Sequence, residues 1–336
     1  MSHERLRLHT HSRLAFGLID MNGEIGRVEG GLGLGLEMPY LELCARRADS
    51  VRISGPAAVS DGTRRKFEAM AQVFREKYDI GGVDVCVEET IPGHSGLGSG
   101  TQLALAFGQA VNILYELKLP LSEIGRIAQR GGTSGIGCAA FETGGFLADG
   151  GHRFGGENGK RLFAPSSAST EFAAPPILFH SNLPSSWRVV LALPSAGPIT
   201  HGDEERALFS KHCPVPAEEA AQAARLALLK VLPAIIEADL QSFGEGIEAM
   251  QRLGLKRIQI AHQNEEVRAT MDEMRRLGLR GVGMSSWGPT LFGFSDSGPD
   301  ADRETVRALE AFGVGVGGVQ VIHTSAATQG ATWCWE

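Results

Sequence analysis

Residues 91–102 read IPGHSGLGSGTQ, a glycine-rich turn between two elements of different period. The alternating run GGVDVCVEET at 81–90 leads into it as a strand that Pro92 stops. The apolar run TQLALAFGQAVNILYELK at 101–118 leaves it as a helix. A glycine-rich turn between strand and helix aims several free N–H groups at one point. The helix dipole adds partial positive charge there, so the turn favours phosphate or pyrophosphate. Gly96, Gly98 and Gly100 permit close backbone approach, while Ser95, Ser99 and Thr101 add hydroxyl donors. No lysine follows the last glycine as in a Walker A loop, and the spacing is not the GxGxxG of a dinucleotide fold. Turn formation without a ligand is the competing reading of the loop taken alone.

Upstream, LRLHTHSRLAFGLID at 6–20 reads as a strand that ends near the turn Asn22-Gly23. YLELCARRADSVRISG at 40–55 reads as two short strands. In DGTRRKFEAMAQVFREKY at 61–78, Phe67, Met70, Val73 and Phe74 share one helical face, with Asp61 as the expected cap. Downstream, LSEIGRIAQRGG at 121–132 reads as a helix capped by Ser122 and ended by its glycine pair. Residues 155–174 form a small-residue connection, WRVVLALP at 187–194 a buried strand, and 216–253 one or two helices. VGMSSWGPTLFGFSD and VGGVQVIHTS are the expected C-terminal strands. Grouped helices among strands imply an α+β fold in two lobes, 1–175 and 176–336.

The net charge of −7 gives no global field for nucleic acid, and no apolar run is long enough to span a bilayer. An anionic ligand must therefore be held by local arginines and backbone N–H groups. The opening residues lack a signal-peptide pattern, and five widely spaced cysteines without a CxxC pair fit free thiols in a reducing cytoplasm.

The order strand, Pro92-x-x-x-Gly-Leu-Gly-Ser99, apolar helix, Ser134-Gly135 turn and late glycine-rich GVGMSSWGPTLFG at 281–293 resembles the GHMP small-molecule kinases. Gly100 stands where that motif usually has a second serine. The resemblance implies an N-terminal domain like ribosomal protein S5 domain 2 and a ferredoxin-like C-terminal domain. Many of these kinases place a base-forming aspartate just after the serine-glycine turn; here the position holds Gly137. Glycine neither accepts a proton nor orients a nucleophile, so plain phosphoryl transfer is disfavoured. An ATP-dependent kinase with a relocated base is the runner-up, and a non-catalytic sensor a third reading.

Longer blocks resemble a narrower family. HSRLAFGLIDMNGEIGR at 11–27, GTSGIGCAAFETGGFLADGGH at 132–152, FHSNLPSSWRVVLALP at 179–194 and the 281–293 block look like β-ribofuranosylaminobenzene 5′-phosphate synthases, including related C-nucleoside synthases. The resemblance implies a decarboxylating C-glycosyltransferase that joins phosphoribosyl pyrophosphate to an aromatic carboxylate, with Mg²⁺ and a homodimer. Methanopterin-type and C-nucleoside pathways both remain open.

Within these blocks, Arg13 and Arg27 are candidate phosphate ligands, and Asp20 a candidate catalytic residue or ligand for metal or ribose hydroxyls; surface pairing or a capped turn is the alternative. Thr133 and Ser134 could donate to phosphate or ribose. Asp149 is a candidate catalytic or Mg²⁺-binding carboxylate, with turn formation as its alternative, and Glu204 a further metal candidate at a helix start. Ser285 and Ser286 could bind carboxylate or 5′-phosphate beside Trp287 as an aromatic wall, which a core tryptophan equally explains. His94, His180 and His201 show no metal spacing, though His201 could contact phosphate.

Overall fold

The structure is a computed structural model that describes residues 5–56, 59–165, 168–169, 171–195 and 203–336. His201 lies outside the described residues. In chain order the elements are β1 (Leu6–Asp20), β2 (Arg27–Ala48), β3 (Arg52–Ser54), α1 (Asp61–Tyr78), β4 (Gly82–Glu89), α2 (Ser99–Leu114), α3 (Leu121–Ile127), α4 (Ile136–Thr143), β5 (Phe146–Asp149), β6 (His152–Arg153), β7 (Ile177–Ser181) and β8 (Arg188–Pro194). There follow α5 (Asp203–His212), α6 (Ala217–Leu226), a π-helical segment (Ala227–Val231), α7 (Leu232–Ile236), α8 (Leu240–Gln251), α9 (Gly254–Ala261), α10 (Glu265–Arg276), β9 (Arg280–Met284), β10 (Leu291–Ser295), α11 (Pro299–Gly315), β11 (Val319–Thr324) and β12 (Thr332–Trp335). The α+β expectation holds. No helix among the described residues is long and apolar enough to cross a membrane.

An eight-stranded sheet runs β12-β1-β2-β4-β3, with β5 and β6 also on β2 and β7 on β5. A four-stranded antiparallel sheet runs β11-β8-β10-β9. β2 serves several partners because it is long: Gly31–Leu34 pair with β5, and Glu42–Ala48 pair with β4. The stretch 40–48 is therefore the far half of β2, not a separate short strand. Extra residues around Met38-Pro39 are absorbed in a register shift opposite His11 and Ser12, so the hairpin continues through them. Pairing also continues past residue 175, since both β7 and β12 join the first sheet.

Helix α1 has the expected bounds, but Ser60 caps it by accepting the Thr63 N–H. Its buried face includes Ala71, and Val73 is exposed. Ser122 lies inside the first turn of α3, whose cap position is Pro120.

Phe16 of β1 joins the two sheets. Its ring lies 5.7 Å from Phe146 on β5, 5.0 Å from Phe292 on β10 and 6.4 Å from Phe243 on α8. Phe243 packs in turn on Phe294 and Trp187 at 5.0 and 5.1 Å. Edge-to-face contacts predominate, as ring quadrupoles prefer. Phe16→Ala should therefore cost about 3–5 kcal/mol, read as a lower urea midpoint; a loss below about 1 kcal/mol would show that the sheets are held elsewhere.

Candidate active site

The loop after β4 is fixed from below. Gly98, at φ +82, is the cap position of α2, and its carbonyl accepts the N–H groups of Thr101 and Gln102. Ser99 and Gly100 precede those residues, so their N–H groups have no helical acceptor. Gly96 sits at φ +86, where a Cβ would stand 2.4 Å from the Ser285 carbonyl oxygen. A Cβ on Gly98 would meet three Arg13 side-chain atoms at 3.1 Å. Both positions combine a left-handed backbone with close approach, against backbone at Gly96 and against the Arg13 side chain at Gly98, which favours glycine.

Three chain segments interlock here. The Arg13 guanidinium donates to the Gly96 carbonyl at 2.6 Å, and the Arg13 N–H donates to the Leu97 carbonyl at 3.0 Å. The Ser285 hydroxyl donates to the same Gly96 carbonyl at 2.8 Å and accepts the Ala15 N–H at 3.0 Å. The N–H groups of Ser286 and Thr290 donate to the carbonyls of Ala15 and Ser95.

Above this frame opens a cavity of about 680 Å³. Arg13 on β1, Lys66 on α1, Arg130 after α3 and Lys256 on α9 all line it. Burial lowers the pKa of each. Arg13 falls to about 10, and Lys256, with help from Arg13, to about 7. Lys66 is lowered by burial and then by Arg130, and Arg130 by burial. Among the described residues none of the four makes an ion pair, and Arg130 Nε is buried without a partner. Four basic side chains against one acid, Glu205, line this cavity in a chain of net charge −7, which makes it a local anion site. Gly137, in the first turn of α4, also lines the cavity; a Cβ there would stand 3.0 Å from Thr101 Cγ2.

The cavity wall brings together Arg13, Gly96, Gly98, Ser99, Gly100, Thr101, Thr133, Ser134, Ser286 and Trp287 from the sequence reading. Other candidates hold the frame instead. The Ser95 hydroxyl donates to Pro92, and Ser285 is the strut just described. The Asp20 carboxylate accepts the N–H groups of Asn22 and Gly23 and so closes the hairpin turn. Arg27 clamps the carbonyls of Gly150 and Gly151 at 2.8 and 2.7 Å. Asp149 is buried, accepts from Ser134 Oγ and from the N–H groups of Gly135 and Gly151, and burial pushes its carboxyl up to about 6. Glu204 is exposed on α5, and His180 is exposed on β7. Among the described residues no three His, Cys, Asp or Glu side chains gather as a metal site, so Asp20, Asp149 and Glu204 do not form one.

Beneath the 131–134 turn, Lys160 donates to both Glu29 oxygens at 2.6 and 2.9 Å and to the Gly132 carbonyl. Lys66 and Lys256 escape sequence reading because a charge on an amphipathic helix looks solvated until a neighbouring element covers it. A legible signal was available only for Arg130, which directly precedes Gly131-Gly132.

Gly98→Asp places a carboxylate against Arg13 and should abolish pyrophosphate binding in a calorimetric titration while far-ultraviolet dichroism is retained; kept affinity would make the loop a scaffold only. A pH test addresses Lys256. Its folded value, about 7, lies below the ordinary 10.5. Its contribution to stability is thus complete above 10.5 and is lost as pH falls through 7. Melting temperatures should rise more between pH 7 and about 10 for the wild type than for Lys256→Met; parallel curves would show an unperturbed lysine.

Comparison with known proteins agrees with this geometry. Residues 65–145 match the GHMP kinases N-terminal domain, and residues 231–315 match the GHMP kinases C-terminal domain. A homoserine kinase structure from Cytophaga hutchinsonii superposes with a TM-score of 0.69 at 16% identity, covering 99% of this chain and 98% of that one. It is similar in fold. The β-ribofuranosylphenol 5′-phosphate synthase of Methanocaldococcus jannaschii is 39% identical over 86% of this chain and 89% of its own. The protein of the same name from Archaeoglobus fulgidus is 40% identical over 90% and 91%. On that identity, sustained across most of its length, the chain belongs to the β-ribofuranosylphenol 5′-phosphate synthase family, built on the GHMP kinase fold.

Proposed function

We propose that the chain is a phosphoribosyl pyrophosphate-dependent, decarboxylating C-glycosyltransferase that joins ribose 5-phosphate to an aromatic carboxylate, releasing CO2 and pyrophosphate. The observation that carries this reading is a cavity beside the phosphate loop whose lining cations make no ion pair among the described residues, with Gly137 of α4 where many GHMP kinases carry a base. A donor with a 5′-phosphate and a pyrophosphate needs more positive charge than one helix N-terminus supplies. Arg13, Lys66 and Arg130 supply it next to the loop. Membership of a synthase family supports the same conclusion.

The bond to be broken joins C1 of the ribose to a pyrophosphate oxygen. Its electron pair leaves with pyrophosphate, and donors fixed in advance stabilise that developing charge better than water, because they need not reorganise. The ring carbon bearing the carboxylate attacks C1, and the ring cation then expels CO2 and regains aromaticity. No alcohol is deprotonated, so the missing aspartate removes nothing that this reaction uses. Among the described residues no side chains gather as a resident metal cage. Magnesium suits such a site as an ion carried on the donor's own phosphates, where it is commonly held.

The kinase reading, with its base relocated, is the weaker one, since the relatives at 36–40% identity carry the synthase name. Incubation with phosphoribosyl pyrophosphate, Mg²⁺ and 4-hydroxybenzoate, 4-aminobenzoate or a pyrazole carboxylate should release CO2 and pyrophosphate in equal amounts. Arg13→Met should lower kcat/KM by about 10²–10³-fold. Consumption of ATP against an alcohol acceptor, with neither product from the carboxylate panel, would overturn the proposal.

A further inference from the structure

One part of the cavity wall is built differently from the phosphate loop. Trp287 is half-buried there, its ring 6.1 Å from Phe209 of α5, and both rings line the cavity with Leu18. Lys256 and Gln259 lie three positions apart on α9, hence on one helical face, and both are buried in the same wall. Lys256 Nζ donates to the carbonyls of Met284 and Ser286 at 3.1 and 2.6 Å. An ammonium has three donors, so one remains. The side-chain amide of Gln259 has no hydrogen-bond partner among the described residues.

A buried cation and a free amide beside an aromatic wall match a ligand with a flat apolar body and one negative charge. Phosphate needs neither the rings nor so apolar a surround. We propose that Lys256, with Gln259 beside it, binds the carboxylate of the aromatic acceptor while Trp287 and Phe209 carry its ring. This assignment rests on the decarboxylating C-glycosyltransferase reading.

The bound group is the one the reaction removes. The new bond joins the ring carbon to C1, and the C1–O pair leaves with pyrophosphate. The bond from ring to carboxylate then breaks, its electron pair returns to the ring, and the carbon departs as neutral CO2. Lys256 thereby loses its counter-charge, and the product ring no longer has the group that anchored the substrate. Because burial already makes the ammonium costly, part of the pairing energy goes to keeping it charged. The carboxylate is thus recognised without being clamped.

The test compares dissociation constants for 4-hydroxybenzoate and for phenol, the same ring without its carboxylate, together with pyrophosphate as a control. The wild type should prefer 4-hydroxybenzoate by about tenfold or more. Lys256→Met should shrink that preference to within about twofold while changing pyrophosphate affinity less than about twofold. Gln259→Leu, which leaves the lysine in place, should reduce the preference by about threefold and serves if the first variant does not fold. A preference that survives Lys256→Met, one that is absent from the wild type, or a pyrophosphate affinity that falls in parallel would overturn the assignment. Release of CO2 from phosphoribosyl pyrophosphate and 4-hydroxybenzoate is measured separately. A wild type with the preference but no CO2 sinks the functional reading alone; CO2 release with an unchanged preference in Lys256→Met sinks the subsite alone.

Discussion

The candidate site depends on one shared acceptor, the carbonyl oxygen of Gly96. Arg13 and Ser285 both donate to it, and Ser285 simultaneously takes the Ala15 N–H. Backbone of the loop, of β1 and of the β9–β10 turn is thereby drawn so close that Gly96 has no room for a side chain. Each group that ties the loop down is one fewer that must reorganise when an anion arrives. The cations converge with no ion pair among the described residues, at the cost of the lowered pKa values they all show.

Residue 137 explains how a kinase scaffold can serve a different displacement. Its carbonyl accepts from the buried Gln102 amide, and Gln102 accepts from Thr10, so the start of α4 is anchored to α2 and β1. The backbone role is intact; the side-chain role is gone, and Thr101 lies against the vacated position. Chemistry that substitutes at sugar carbon has no use for that base, whereas transfer to an alcohol loses the rate it contributes.

Much of the fold was legible because its signals are local. The 61–78 helix declared itself by period, and the glycine loop by its place between strand and helix. Helix α4, only eight residues and rich in small side chains, has too little periodicity to announce itself. Strand β12 is defined by pairing with β1, and no local pattern encodes a partner that distant. The site divides along the same line. Loop glycines and hydroxyls could be read from spacing, but whether a hydroxyl faces ligand or frame is settled by tertiary contact. Ser285 faces the frame and Ser286 the cavity, though they are adjacent and of one type. Asp20, Arg27 and Asp149 sit in the expected blocks yet spend their polar atoms on glycine turns. Lys256 required knowing which element covers α9.

The pairing of Leu6 with Trp335 has a kinetic side. Closing so large a loop costs only modest extra entropy at equilibrium, but contacts of such separation slow the conformational search. Until they form, one flank of β1 offers unpaired backbone to any passing strand. Pairing covers Leu6–His9 of that flank and leaves the four-residue β12 as the edge strand in its place, so a long open edge is exchanged for a short one.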